Sequence, residues 1–198
     1  NKIEAYNWPQ GVIAQLFRAI AGNKPGIVSK IGLHTFIDPR HDGGKLSPRT
    51  TENLVELITL RGEEYLFYPS MPIHCALIRG TTADTRGNIS CEEEAFHNDV
   101  LAIAQAARNS GGIVIAQVKN IVEAGTLNPN AVRVPGILVD YVVQPDNPQH
   151  HWQTYGEDYN PTYTGARRAV DGEHPVTELN ARKIIQHRAF FELQKLDN

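Results

Sequence analysis

Gln10 sits between Pro9 and Gly11, directly ahead of a run with helical periodicity, and is the first residue here whose surroundings could do chemistry. A side-chain amide beside the free N–H groups of a helix start can hold a developing oxyanion, because both donors point at the charge that forms there. From spacing alone the plainer reading, an amide that caps or decorates the turn, is preferred. Glu123 is a second candidate. It falls in VKNIVEAGT, a crossing between two expected strands, near a strand C-terminal edge of the kind that hosts ligands in open α/β sheets. Glu92-Glu93-Glu94 has the look of a catalytic carboxylate cluster, yet it precedes an expected helix, where exposed N–H groups and the macrodipole favour acids. Ser90 with Glu93 fits a capping box, so a structural role is expected for the three.

Eight histidines invite a metal hypothesis that their spacing does not support. His150 and His151 are adjacent rather than helix-spaced, and His34 and His41 lie in loop-like sequence near Asp38 and Asp42. There is no HExxH and no CxxC, so no metal site is expected. His97 is placed in the first turn of a helix as a satisfied surface or interface residue. Gly43-Gly44-Lys45 could meet a phosphate, but a solvated turn is the better reading. No GxSxG, GxGxxG or GxxxxGK[ST] occurs, which leaves hydrolase-elbow, dinucleotide and P-loop readings without support.

These residues need elements to position them. Ile13, Leu16, Phe17 and Ile20 recur on one face of a helix over 12–21, with Gly22 as its stop. Residues 26–32 read as a short strand that leads into a long loop over 36–51. Runs at 54–60 and 65–68 read as a hairpin, and 75–78 as a strand entering a sheet interior. A polar loop follows at 81–88, then a brief strand at 89–91. Phe96, Val100, Ile103 and Ala107 predict an amphipathic helix over 95–108, ended by Gly111-Gly112. The runs 113–118 and 137–143 do not alternate cleanly, the pattern of inner strands packed on two faces of a helix-backed sheet. They are expected to be neighbours or near-neighbours, with helix 95–108 on one face and a right-handed connection where the strands are parallel. From about 144 the chain turns polar and rich in Pro, Asn and Tyr, a linker or surface wrap. A last helix over 178–196 puts Ala181, Ile184, Ile185, Arg188 and Phe191 on one face.

The 198 residues are enough for one full core, and 41% hydrophobic with 21% charged residues is ordinary globular composition. A net charge of −3 with scattered Lys and Arg gives no footprint for nucleic acid. No apolar run is long enough for a membrane span. Cys75 and Cys91 are expected to be free thiols, and a cytoplasmic location follows from that expectation. The chain opens without Met, which is read as a fragment, a processed product or a trimmed chain.

Residues 4–11 (EAYNWPQG), 31–47 (IGLHTFIDPRHDGGKLS), 64–90 and 111–143 resemble, in this order, the family I CoA-transferases, with the fused acetate/propionate branch nearest. The likeness is weakest over 146–177, and a glycine or small residue would be expected where His34 stands. It implies an open, helix-covered α/β sheet of the CoA-transferase/phosphosugar-isomerase-like type, incomplete at both ends. Residues 1–145 would be the later part of the first, alpha-type domain, 146–177 a polar linker or wrap, and 178–198 the opening helix of the second, beta-type domain. The active site would lie between the halves, on one protein or with a companion chain, in a homo-oligomer.

The activity so implied is CoA transfer from a short-chain acyl-CoA to a carboxylic acid, with coenzyme A as substrate and no permanently bound cofactor. It would run by a ping-pong route through a glutamyl-CoA intermediate whose glutamate has no match in this chain. The resemblance gives Gln10 the role of oxyanion donor and Gly11 that of permitting close approach to the backbone. Gly32, His34, Thr35 and Phe36 would line the acyl pocket, with Glu4 and Asn7 close by, and Glu123 would help shape the site's mouth. The alternatives are an acyl-CoA hydrolase on the same fold and a non-enzymatic ligand-binding domain.

Overall fold

The structure, a computed structural model, describes residues 2–170 and 179–196. Helix α1 (Gln10–Ala21) buries Val12, Leu16, Ala19 and Ile20 on one stripe and stops at Gly22. Strands β1 (Gly26–Ser29), β2 (Glu56–Leu60) and β3 (Glu63–Pro69) form a small antiparallel sheet in the order β1-β3-β2. β2 and β3 are the expected hairpin. Its two-residue turn, Arg61-Gly62, has both φ angles positive at 51° and 83°, the geometry whose twist matches the flanking strands. Val12, Ile37, Val55, Leu66 and Tyr68 are the core of this unit. The strand expected over 26–32 stops at Ser29, because the chain then folds into successive turns.

The larger sheet holds β4 (Cys75–Asp84), β5 (Ile89–Ser90), β6 (Ile113–Val122), β7 (Val132–Val134) and β8 (Tyr141–Val143) in the order β7-β5-β4-β6-β8. β6 lies parallel to β4 on one side and to β8 on the other, so the two runs expected to be neighbours are paired. Helix α2 (Val100–Asn109) covers one face. Ala104 and Ala107 interlock there with Ala76, Ile78, Val114, Ala116 and Val118, small residues that let helix and sheet approach closely. Leu16, Ala19 and Ile20 of α1 pack on Ala106 of α2 and join the two units. The result is an open α/β sheet flanked by helices.

Four expectations change. β4 runs on to Asp84, so half of the expected loop at 81–88 is strand. Its threonines are β-branched and their hydroxyls are satisfied, Thr81 accepting from the Glu93 N–H and Thr82 donating to Glu92, so polar-looking residues sit buried in a sheet. Helix α2 begins at Val100 rather than 95, which leaves His97 ahead of it and Phe96 74% exposed. Glu92, Glu93 and Glu94 therefore cap nothing. Glu93 pairs with Lys119 at 2.8 Å, Glu94 with Arg79 at 3.1 Å, and the Ser90 hydroxyl donates to the Thr82 carbonyl. Residues 136–138 form a 3-10 turn, and β8 is a three-residue edge strand with Tyr141 and Val143 exposed. Two-sided packing is thus absent from β8, since α2 covers only the opposite face of its neighbour.

Helix α3 (Ala181–Gln194) starts at Asn180, whose side chain accepts from the Lys183 N–H, and buries none of its residues. Residues 171–178 and 197–198, in the expected wrap and at the ends of the expected last helix, lie outside the described residues. Among the described residues no helix is long and apolar enough to cross a membrane.

Candidate active site

Gln10 is the first residue of α1 rather than the residue before it. Pro9 is the N-cap and has no side chain to satisfy the helix start, while its carbonyl takes the N–H groups of Val12 and Ile13. The N–H groups of Gln10 and Gly11 find no acceptor among the described residues, and both residues are exposed. Beyond its chain neighbours and its own helix backbone, no atom of the described residues lies within 4 Å of where a Gly11 Cβ would stand. This is an open anion-binding geometry: uncapped N–H groups, a flexible amide and room for a ligand.

The segment leading to Gln10 is fixed by the long loop after β1. Asn7 N–H donates to the Gly44 carbonyl at 2.7 Å, Leu46 N–H to Ala5, and Ala5 N–H to the Thr50 hydroxyl. Trp8 stands edge-on to Tyr68 at 5.3 Å between ring centres. Gly43-Gly44-Lys45 is thus a docking turn for residues 5–8, not a free loop.

Tyr68 also donates its hydroxyl to the Ile31 carbonyl at 2.8 Å, which places the turn over 32–36 on the same core as α1. Gly32 has a φ of 99°, and a Cβ there would come within 2.6 Å of the Tyr68 hydroxyl, so glycine alone fits. His34 has a φ of 61°, the left-handed conformation that glycine adopts without cost, which accounts for the small residue expected at this position. Its N–H donates to Asp38 Oδ2 at 2.9 Å. His34, Thr35 and Phe36 are exposed and together form a lip on the surface.

Asp38 is the residue sequence reasoning missed. It is fully buried and accepts from the His34 N–H, the Arg40 N–H, and Arg40 Nε and Nη2 at 2.8–3.0 Å. The Arg40 guanidinium holds its carboxyl far below the usual carboxylate range. Replacing Asp38 by Asn is expected to destabilise the chain by about 2 kcal/mol at pH 7, the middle of the range for a charge-assisted bond, since Arg40 stays partly exposed. A depressed carboxyl contributes stability above its unfolded value of about 3.9 and loses it as pH falls below that. The gap between parent and Asp38→Asn in urea unfolding should therefore narrow below about pH 4. A gap that stays constant from pH 7 to 3 would deny the charge any role.

Glu123 lies on the other unit, exposed, immediately after β6. Its carbonyl accepts from Thr126, while Ala124 N–H donates to the Thr85 hydroxyl and Thr85 N–H to Val122. Buried Asp84 gathers the N–H groups of Arg86 and Asn88 and the Asn88 amide at the same edge. The spacing Asp84-x-x-Gly87 was a signal of this turn that a reading of 81–88 as plain loop overlooked. No hydrogen bond, ion pair or ring contact joins Glu123 to the Gln10 or His34 turns among the described residues. The fold brings Gln10, Gly11, Gly32, His34, Thr35 and Phe36 onto one unit and leaves Glu123 on the second.

Among the described residues no group of three or more His, Cys, Asp or Glu side chains could hold a metal ion. Cys75 and Cys91 are both free, and burial pushes the Cys91 thiol up to about 11, away from nucleophilic use at neutral pH.

Residues 1–145 fit the coenzyme A transferase family model, and the chain belongs to that family, in its family I branch. It is 50% identical over 196 residues to the caffeate CoA-transferase of Acetobacterium woodii, covering 99% of this chain and 37% of that one. It is 45% identical to the acetate CoA-transferase YdiF of Escherichia coli K12, covering 98% and 36%. The crystal structure of the YdiF acyl-CoA transferase of E. coli O157:H7 as a thioester complex with CoA superposes with a TM-score of 0.81 at 44% identity, over 97% of this chain and 38% of that one. The chain spans a little over a third of the length of these relatives.

Proposed function

We propose that the protein carrying this chain transfers CoA between a short-chain acyl-CoA and a carboxylic acid, and that this chain supplies the oxyanion side of the site. The observation that carries the reading is the open first turn of α1, where Gln10 and two unpaired N–H groups face free space. A glutamate outside this chain attacks the thioester carbonyl, forming a mixed anhydride and releasing the CoA thiolate. The thiolate then attacks the glutamyl carbon, and the donor acid leaves as its carboxylate. An acceptor carboxylate reverses the two steps. Each intermediate keeps an activated acyl group, which is why a carboxylate nucleophile shielded from water suits the reaction. Charge develops on the carbonyl oxygen at every attack, and Gln10 is assigned here as the donor that meets it. Coenzyme A is a substrate here, and no resident cofactor is needed for these steps.

The lip at His34, Thr35 and Phe36, with Gly32 beneath it, forms one wall of the acyl pocket, and Gly11 leaves space for the thioester. Glu123 borders the mouth from the second unit. Residues 1–145 form the alpha-type domain, and the bare helix α3 opens the beta-type domain, which supplies the nucleophile and covers Ile184 and Phe191. The same protein assembles as a homo-oligomer.

The test is the complete protein incubated with acetyl-CoA and isotope-labelled propionate. Labelled propionyl-CoA should form with parallel double-reciprocal plots, the kinetic signature of a covalent enzyme intermediate. Release of free CoA at the same rate with or without propionate would instead establish a hydrolase.

A further inference from the structure

The polar stretch after β8 is not a loose linker along its first half. It crosses the middle of β4 and β6 on the face turned away from α2, held by side-chain bonds. Gln144 Nε2 donates to the Lys119 carbonyl at 2.8 Å, Arg79 Nη2 to the Trp152 carbonyl at 2.7 Å, and Gln153 Nε2 to the Glu93 carbonyl at 2.7 Å. At the centre sits His151, only 4% exposed. Gln117 of β6 spends one amide hydrogen on the His150 carbonyl at 3.1 Å and meets His151 Nδ1 with the other at 3.2 Å. Nδ1 is therefore the acceptor and the ring proton sits on Nε2. That proton faces Glu94 Oε1 at 3.4 Å, an ion-pair approach that falls short of a hydrogen bond.

We propose that His151 is an acid-sensitive catch that holds residues 144–160 on the sheet at neutral pH and releases them in mild acid. A second proton on the ring must go to Nδ1, where it points at the Gln117 amide hydrogen. Turning that amide to accept it would set the amide oxygen against the His150 carbonyl. Either choice breaks one of the bonds that seat the strap. The charges facing the ring come from every neighbouring element: Glu93 and Glu94 from the turn before α2, Arg79 from β4, Lys119 from β6, and Asp146 and Asp158 from the strap itself. Burial and Arg79 push the imidazole below its ordinary value, and this outweighs the pull of Glu94. A depressed histidine contributes stability above its unfolded value of about 6.5 and loses it as pH falls below that. Release would open the cavity of about 460 Å³ between Lys119, Asn120, Gln144, Asp146 and His151. That cavity lies on β6 a few residues before the sheet edge at Glu123. The catch does not depend on the proposed transfer activity.

The 198-residue chain itself serves for the test, by hydrogen–deuterium exchange from pH 7.5 to 5.0 with rates corrected for intrinsic exchange. Peptides over 144–160 should open about tenfold more per pH unit once the free strap is protonated and the docked one is not, while β6 and α2 peptides keep their protection. This window lies above about pH 4, where carboxylates ordinarily titrate. His151→Asn retains an acceptor near the Nδ1 position without a titrating ring, so its protection should be flat across the range. Gln117→Glu gives up the bond to the His150 carbonyl but sets a carboxylate against the protonated ring, so its strap should be better protected in acid than at neutral pH, the reverse of the parent. A parent strap whose protection does not change overturns the catch. So does a His151→Asn strap that opens as steeply as the parent, or a strap that opens only together with β6 and α2. Should His151→Asn fail to fold, the parent and Gln117→Glu decide the matter.

Discussion

In the complete protein, Gln10→Ala is expected to lower kcat about a hundredfold, the usual consequence of removing one oxyanion donor, worth about 3 kcal/mol. KM should change little, because the donor acts where negative charge develops rather than on the resting thioester. The structural basis is the exposed first turn of α1, with Pro9 unable to cap it and the Gln10 and Gly11 N–H groups unpaired. Gln10→Glu should be worse than Gln10→Ala, since it sets a negative charge against the forming oxyanion. The Gln10→Ala loss should not vary with pH across the range where the fold is stable, as an amide does not titrate, whereas the extra loss in Gln10→Glu should ease where the introduced carboxyl is protonated. Steady-state kinetics with acetyl-CoA and a series of acceptor acids measure all three. A parental kcat with only a raised KM would reduce Gln10 to a substrate-positioning residue. The acceptor series also tests the proposed acyl wall at His34, Thr35 and Phe36, where one methylene would be worth only about 1–3 kcal/mol of discrimination.

The 198-residue chain alone is expected to give no exchange between acetyl-CoA and labelled propionate. Its clustered carboxylates are already engaged: Glu92 with Thr82, Glu93 with Lys119, and Glu94 with Arg79. Among the described residues Glu123 has no such partner, but it stands on a different unit from Gln10, with no hydrogen bond or ion pair between their turns. Covalent catalysis depends on reacting atoms held about 3–3.5 Å apart, which no pocket supplies without its nucleophile. Supplying the remainder of the protein should restore exchange and protect α3, where Ile184, Phe190 and Phe191 now face solvent. Exchange by the isolated chain that disappears on a Glu→Gln change within it would place the nucleophile here after all.

Local pattern was sufficient wherever a segment's role depends on its own periodicity. The stripe of α1, the hairpin around Arg61-Gly62 and the buried run of β6 all follow from spacing along a few residues. The PQG turn belongs with them, because a helix start is a local event and Gln10 is exposed at it. The family likeness over residues 1–145 rests on such stretches too.

Tertiary structure decided what depends on which faces meet. Thr81 and Thr82 look like loop residues until Glu92 and the Glu93 N–H arrive to satisfy their hydroxyls. Glu92 to Glu94 look like a helix cap until α2 starts at Val100 and the cations of β4 and β6 take two of them. Asp38 reads as one more polar loop residue, yet Arg40 and the His34 N–H make it the centre of the turn over 32–38. His150 and His151 look alike in the chain, and only the strap's path over Gln117 buries one of them as a candidate catch. A charge or hydroxyl can be buried only where partners from elsewhere satisfy it. Those partners lie from 2 to more than 70 residues away here, beyond what periodicity along one segment records.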